Sequence, residues 1–131
     1  MVIDTSALVA IVLGEPDAER WLRALTGSRE ALKVSAVSAV ESAIVVEARQ
    51  GLDAGRDLQL LLDRVDAQVS PCTAEQVSVA VSAWRRFGKG RHPAGLNLGD
   101  CFSYALARTE GDTLLFTGRD FAQTDVAAAL L

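Results

Sequence analysis

Cysteine is scarce in this 131-residue chain. Cys72 and Cys101 stand far apart and form no C-x-x-C unit, so neither a disulfide framework nor a zinc site is expected. Both are read as reduced, packed thiols. Histidine is scarcer still. His92 is the sole one, precedes Pro93, and has no serine or cysteine nucleophile motif nearby, so it takes no catalytic role. Long apolar runs are absent too, none approaching the roughly 18 residues that span a bilayer. The first residues show no basic n-region and no small-residue cleavage site, which points to the cytoplasm. Positive charge is not in excess. Against 13 basic residues stand 17 acidic ones, for a net charge of −4 and a pI near 4.9. That is not the overall signature of a nucleic-acid binder. It leaves open a carboxylate cluster that needs cations, or a basic protein partner.

What the chain does have is apolar substance. Half its residues are hydrophobic and its mean hydropathy is +0.21, enough for one domain over residues 1–131 with a real core. Its organising stretch is Met1-Val2-Ile3-Asp4-Thr5-Ser6-Ala7-Leu8. The short apolar run reads as a buried parallel strand, and Asp4 falls at its carboxyl end, where open α/β sheets bind ligands. As a single residue, Asp4 serves equally well as the cap of the next helix.

Further strands are expected at 32–35, 68–70 and 113–117. Helices are expected over 8–13 and from Pro16 to Gly27. Others follow from Ser38 to Arg49, from Gly55 through Val65, from Thr73 to Phe87, over 98–108, and from about Asp125. In the helix opened by Thr73, the residues Val77, Ala80, Val81, Trp84 and Phe87 are expected to be buried. Strands alternating with helices imply an α/β fold, a parallel sheet of about four strands flanked by helices.

Three more acidic residues fall near strand ends, and each has a structural reading beside the functional one. Glu41 fits a capping box with Ser38. Asp100 lies in the first turn of a helix, where a carboxylate suits the macrodipole, although Asn97 already offers a cap. Asp120 follows a strand and a glycine and serves as a turn residue. Glu47 lies six residues beyond Glu41, about 240° around the helix, and is read as solvated or salt-bridged, with Arg49 a candidate partner. Taken together, Asp4, Glu41, Asp100 and Asp120 suit a hard divalent cation and phosphodiester cleavage by water. Thr5, Ser6 and Thr117 are placed to orient those carboxylates, or merely to cap backbone. Arg85, Arg86, Lys89 and Arg91, with His92, form the only basic concentration. They suit a nucleic-acid backbone, or a solvated helix end.

The motifs Met1–Leu8, Ser35 followed six residues later by Glu41, Leu96-Asn97-Leu98-Gly99-Asp100-Cys101, and Leu114–Phe121 resemble those of PIN-domain ribonucleases, in particular VapC-type toxins. The resemblance spans nearly the whole chain. It implies a PIN-like three-layer fold and Mg²⁺- or Mn²⁺-dependent endonucleolytic cleavage of RNA. Asp4 and Asp100 become metal ligands, and Glu41 and Asp120 the other acidic positions, with Asp125 a second candidate for the last role. It further implies a homodimer and a cognate antitoxin whose basic C-terminal segment blocks the site. Two other classes compete. A PIN-fold interaction module without catalysis would not need metal. A phosphate-accepting aspartate would want a lysine after a late strand, where this chain has Gly118 and Arg119.

Overall fold

A computed structural model describes residues 1–130. The chain runs β1 (Val2–Ile3), α1 (Thr5–Val12), α2 (Ala18–Thr26), β2 (Lys33–Ser35), α3 (Ala36–Gln50), α4 (Leu52–Arg64), β3 (Gln68–Ser70), α5 (Ala74–Phe87), α6 (Leu98–Glu110) and β4 (Leu114–Leu115), then a single 3-10 turn at Phe121–Gln123. The strands form one parallel sheet in the order β3-β2-β1-β4. The expected α/β architecture is therefore present.

Strand alternation divides the core in two. Ile3 and Leu115 point to one face, into a cluster with Leu8, Leu25, Val46, Leu58 and Leu62 from α1 to α4. Their neighbours Val2 and Leu114 point to the other, among Ala80, Phe87, Leu96, Tyr104 and Leu106 of the α5–α6 side. Successive strand side chains project to opposite faces, so two-residue strands suffice to anchor both layers. Burying all four side chains contributes about 1.5–3 kcal/mol each.

Several element boundaries differ from expectation. α3 begins at Ala36, with Ser35 as its cap accepting from the Val37 amide, so Ser38 and Glu41 form no capping box. Ser38 lies inside the helix, where its hydroxyl meets that of Ser103 on α6 at 2.9 Å. α4 begins three residues earlier than expected, at Leu52, because Gly51 ends one helix and opens the next. Its φ of 81° and ψ of −176° suit glycine alone, so no linker is needed.

Among the described residues, no helix forms after Asp125. Residues there run beside β4, with Leu114 N donating to Ala127 O and Ala129 N to Leu114 O, and so cover the sheet's edge. On α5, Ala80 and Phe87 are buried as expected, but Val77, Val81 and Trp84 are exposed. Cys101 is buried, whereas Cys72 is exposed rather than packed.

The amino ends of the strands are neutralised. The Met1 ammonium meets Asp112 at 2.8 Å and Glu30 at 3.5 Å, and Lys33 Nζ meets Glu110 at 2.8 Å and Asp112 at 3.4 Å. Burial opposes ionisation of Asp112, but bonds from the Met1 ammonium, the Thr113 amide and Lys33 outweigh it and hold its pKa below the ordinary value. A depressed carboxylate pKa stabilises the fold above the unfolded pKa and loses that effect as pH falls through the folded one. Asp112→Asn should therefore cost about 2 kcal/mol at neutral pH, because it leaves a half-buried ammonium short of its anion. Urea denaturation should show this cost persisting at about pH 5 and closing only below about pH 4.

Candidate active site

At the opposite, carboxyl edge of the sheet the chain turns from strand to helix beside the point where strand order reverses. Asp4 stands there as the cap of α1, as its capping reading expects. It is 2 % exposed. One oxygen, Oδ2, accepts from Ser6 N at 2.9 Å and Ser6 Oγ at 2.6 Å. Ser6 Oγ in turn accepts from the Thr117 amide at 3.0 Å, tying the exit of β4 to the exit of β1. The other oxygen, Oδ1, is buried without any hydrogen-bond partner. A buried carboxylate oxygen left bare is costly unless a cation or proton meets it.

Asp4 lies in a cleft of about 310 Å³ lined also by Thr5, Ser6, Glu15, Glu41, Val45, Arg49, Asn97, Asp100 and Thr117. Asp100 reaches it from the first turn of α6. Asn97 caps this helix, as expected, and Asp100 answers it to complete a reciprocal capping box. Asp100 Oδ2 accepts from Asn97 N at 3.0 Å, and Asn97 Oδ1 accepts from Asp100 N at 2.9 Å. The second Asp100 oxygen is not used by the cap. Burial pushes the Asp100 pKa up to about 7, against the lowering effect of the Asn97 amide, and the charges of Asp4, Glu41 and Asp120 push the same way. Those charges unite the four acidic residues expected from sequence in one electrostatic site. Asp120 is exposed and outside the cleft lining, and bears on Asp100 through its charge.

Asp125 belongs elsewhere. It accepts from Tyr104 Oη at 2.6 Å and pairs with Arg86 at 3.2 Å and Arg108 at 3.8 Å. Arg86 is thereby committed to a structural network. The rest of the basic cluster also lies off the cleft. Arg91 stacks over Trp84 at 4.4 Å, Arg85 is exposed, and Lys89 lines a separate apolar hollow beside Asn97. Thr5 donates to Ser38 O at 3.4 Å, and Thr117 serves through its amide rather than its hydroxyl.

The sequence reading missed Arg49 and Glu15. Arg49 is the one cation among the described cleft-lining residues, and it is held at the rim by Glu15 at 3.5 Å rather than by Glu47. Its signal was Glu41-Val45-Arg49, an i, i+4, i+8 series on one face of α3.

The family model of the PIN domain matches residues 1–127. The chain belongs to the PIN-domain family. This PIN domain is 50% identical over 131 residues to ribonuclease VapC30 of Mycobacterium tuberculosis, an alignment covering 100% of this chain and 99% of that protein. It is 52% identical over 128 residues to ribonuclease VapC of Mycolicibacterium smegmatis, covering 98% of each. Among solved structures it resembles VapC20 of Mycobacterium tuberculosis, described as a sarcin-ricin loop cleaving toxin. The TM-score is 0.80 at 18% identity, over 96% of this chain and 95% of that one, a likeness of fold. A toxin–antitoxin complex from Klebsiella pneumoniae matches with a TM-score of 0.68 at 16% identity, over 95% of this chain and 92% of that one.

The crowding of carboxylates has a thermodynamic signature in the metal-free PIN domain. A raised carboxylate pKa means the folded chain keeps a proton that the unfolded chain has released. Folding is therefore opposed increasingly as pH rises from about 4 to about 7. Asp100→Asn removes that opposition while retaining a cap acceptor. The variant should be more stable than the unmodified chain by on the order of 1 kcal/mol near pH 7.5, allowing for solvent screening. The gain should vanish near pH 4, as thermal melts in a chelator would show.

Proposed function

We propose that this chain is a divalent-metal-dependent endoribonuclease acting as the toxin of a type II toxin–antitoxin pair. Its family and its near-full-length likeness to proteins named ribonuclease VapC support the ribonuclease reading. The observation that carries it is the bare, buried Oδ1 of Asp4 in a cleft shared with Asp100.

The donor set fits a hard cation. All candidate ligands are carboxylate oxygens, and the cleft negative charge is largely unpaired, its one cation being tied to Glu15. Among the described residues, no three acidic, histidine or cysteine side chains converge into a complete ligand cage. Mg²⁺, with Mn²⁺ as an alternative, is usually held by one or two carboxylates, water and substrate phosphate. Asp4 Oδ1 and the uncapped oxygen of Asp100 would hold it. Once bound, it supplies charge neutralisation at the scissile phosphate and activation of water. Ser6 fixes the Asp4 carboxylate through Oδ2 and leaves Oδ1 without a hydrogen bond. Glu41, which lines the cleft, would orient the attacking water and take up its proton, while Asp120 adds negative charge from outside the lining. Arg49 at the rim binds a flanking RNA phosphate.

The same uncompensated negative charge suits the basic segment of a cognate antitoxin. Two apolar hollows flank the cleft on either side of Leu98, which is 74% exposed. One is lined by Val37, Val40 and Ile44 on α3, the other by Val77, Val81 and Trp84 on α5. This broad apolar face supports a homodimer. No described helix is long and apolar enough to cross a membrane.

The decisive experiment is cleavage of total RNA by the purified chain with Mg²⁺, Mn²⁺ or EDTA. Discrete fragments should require metal, and Asp4→Asn should reduce the rate at least about a thousandfold with its fold intact by circular dichroism. Full activity of Asp4→Asn would overturn the site, and absence of both cleavage and metal binding would favour the interaction module. Arg49→Ala should behave differently. It should raise KM about tenfold and flatten the salt dependence, leaving kcat and Mn²⁺ affinity near those of the unmodified chain.

A further inference from the structure

Gly99 is buried in the first turn of α6, between Leu98 and Asp100. Its φ lies outside the left-handed region, so the backbone does not require glycine there. Glycine is also a poor helix former. The reason for it lies across the helix pair. A Cβ at Gly99 would overlap both carboxylate oxygens of Glu41 and stand 2.6 Å from its carboxylate carbon. The Glu41 head group therefore occupies the volume a side chain would take, and lies against the amino end of α6. First-turn N–H groups lack intrahelical partners there, and the macrodipole favours negative charge.

We infer that Gly99 is a positioning residue whose missing side chain seats the Glu41 carboxylate against α6, beside Asp100 and inside the cleft. No hydrogen bond is needed to hold that seat, because the flat surface of the glycine and the two crossing helices define it. With any larger residue at position 99, the Glu41 side chain must swing away from Asp100, and the acidic set loses its α3 member. The inference rests on the metal-site reading and deepens it by naming what sets the geometry of Glu41.

The second glutamate of α3 supplies an internal contrast. Glu47 packs against Gly55 of α4, where a Cβ would stand 2.7 Å from its carboxylate carbon and 2.8 Å from its Cγ. That contact joins α3 to α4 outside the cleft lining. Filling Gly55 thus imposes a similar packing insult with no reason to disturb metal binding.

The test combines Mn²⁺ calorimetry with thermal melts of the metal-free full-length chain. Gly99→Ala should weaken Mn²⁺ binding about tenfold or more, the scale on which supporting residues act at metal sites. Gly55→Ala should leave it within about twofold, on the same basis. Glu41→Asp shortens the side chain by one methylene. Made alone, it should weaken binding, but added to Gly99→Ala it should recover part of the lost affinity. In melts, Gly99→Ala should lower the midpoint when Glu41 is present. In the Glu41→Ala background the same substitution should leave the midpoint unchanged or raise it, since alanine is the better helix former. That second comparison stands even if Gly99→Ala alone does not fold. Undiminished Mn²⁺ affinity in Gly99→Ala would overturn the inference, as would an equal lowering of the midpoint by Gly99→Ala in both backgrounds. Absence of Mn²⁺ binding by the unmodified chain would instead overturn the metal-site reading. The melting comparison would then decide by itself whether Gly99 seats Glu41.

Discussion

A carboxylate that the fold declines to neutralise governs this structure. Asp4 is driven into the interior by its place between a buried strand and a buried helix, and only one of its oxygens receives hydrogen bonds. A bare buried carboxylate oxygen ordinarily destabilises a protein. It persists here because its neighbourhood adds to the frustration instead of relieving it. The charges of Asp4, Glu41 and Asp120 all push the Asp100 pKa up. Such a cluster suits a positively charged partner.

The two ends of the sheet show that this is a property of the site and not of the composition. At the amino end, every close carboxylate has a cation, with the Met1 ammonium and Lys33 shared among Glu30, Glu110 and Asp112. At the carboxyl end, Arg49 is the one lining cation and already answers to Glu15. A net charge of −4 spread at random would not segregate in this way. Parallel strands make the segregation straightforward, since all their carboxyl ends emerge on one side.

The parts of the site that were legible in the sequence are those set by strand ends. Asp4 follows a two-residue strand whose pairing with β4 brings Thr117 to Ser6, and Asp100 opens a helix with its own cap. Local signals therefore sufficed. Glu41 was harder. Its apparent capping partner Ser38 lies inside α3, because Ser35 captures the helix start directly from the end of β2. The basic cluster misled for a related reason. Closeness in sequence placed Arg86 beside Asp100, yet α5 turns that arginine toward Asp125 and Tyr104, while Arg49, remote in sequence from Asp100, reaches the cleft along α3. The exposure of Val77, Val81 and Trp84 was likewise invisible, since an apolar stripe does not say whether its partner belongs to the same chain.

α3 links these observations. Its inward serines, Ser38 and Ser42, are fully buried, and Ser38 bonds across to Ser103, so small polar residues let the helix approach α6 closely. Close approach brings Glu41 over Gly99, and the same helix carries Val45 and Arg49 along the cleft one and two turns later. Widening the α3–α6 spacing at Ser38 would therefore move an acidic side chain and a rim cation together. A single helix-to-helix distance thus couples the carboxylates of the cleft to its rim cation. The exposed Val40 and Ile44 line a hollow that also takes in Glu41 and Gly99, so the apolar face of α3 adjoins the same helix-to-helix contact.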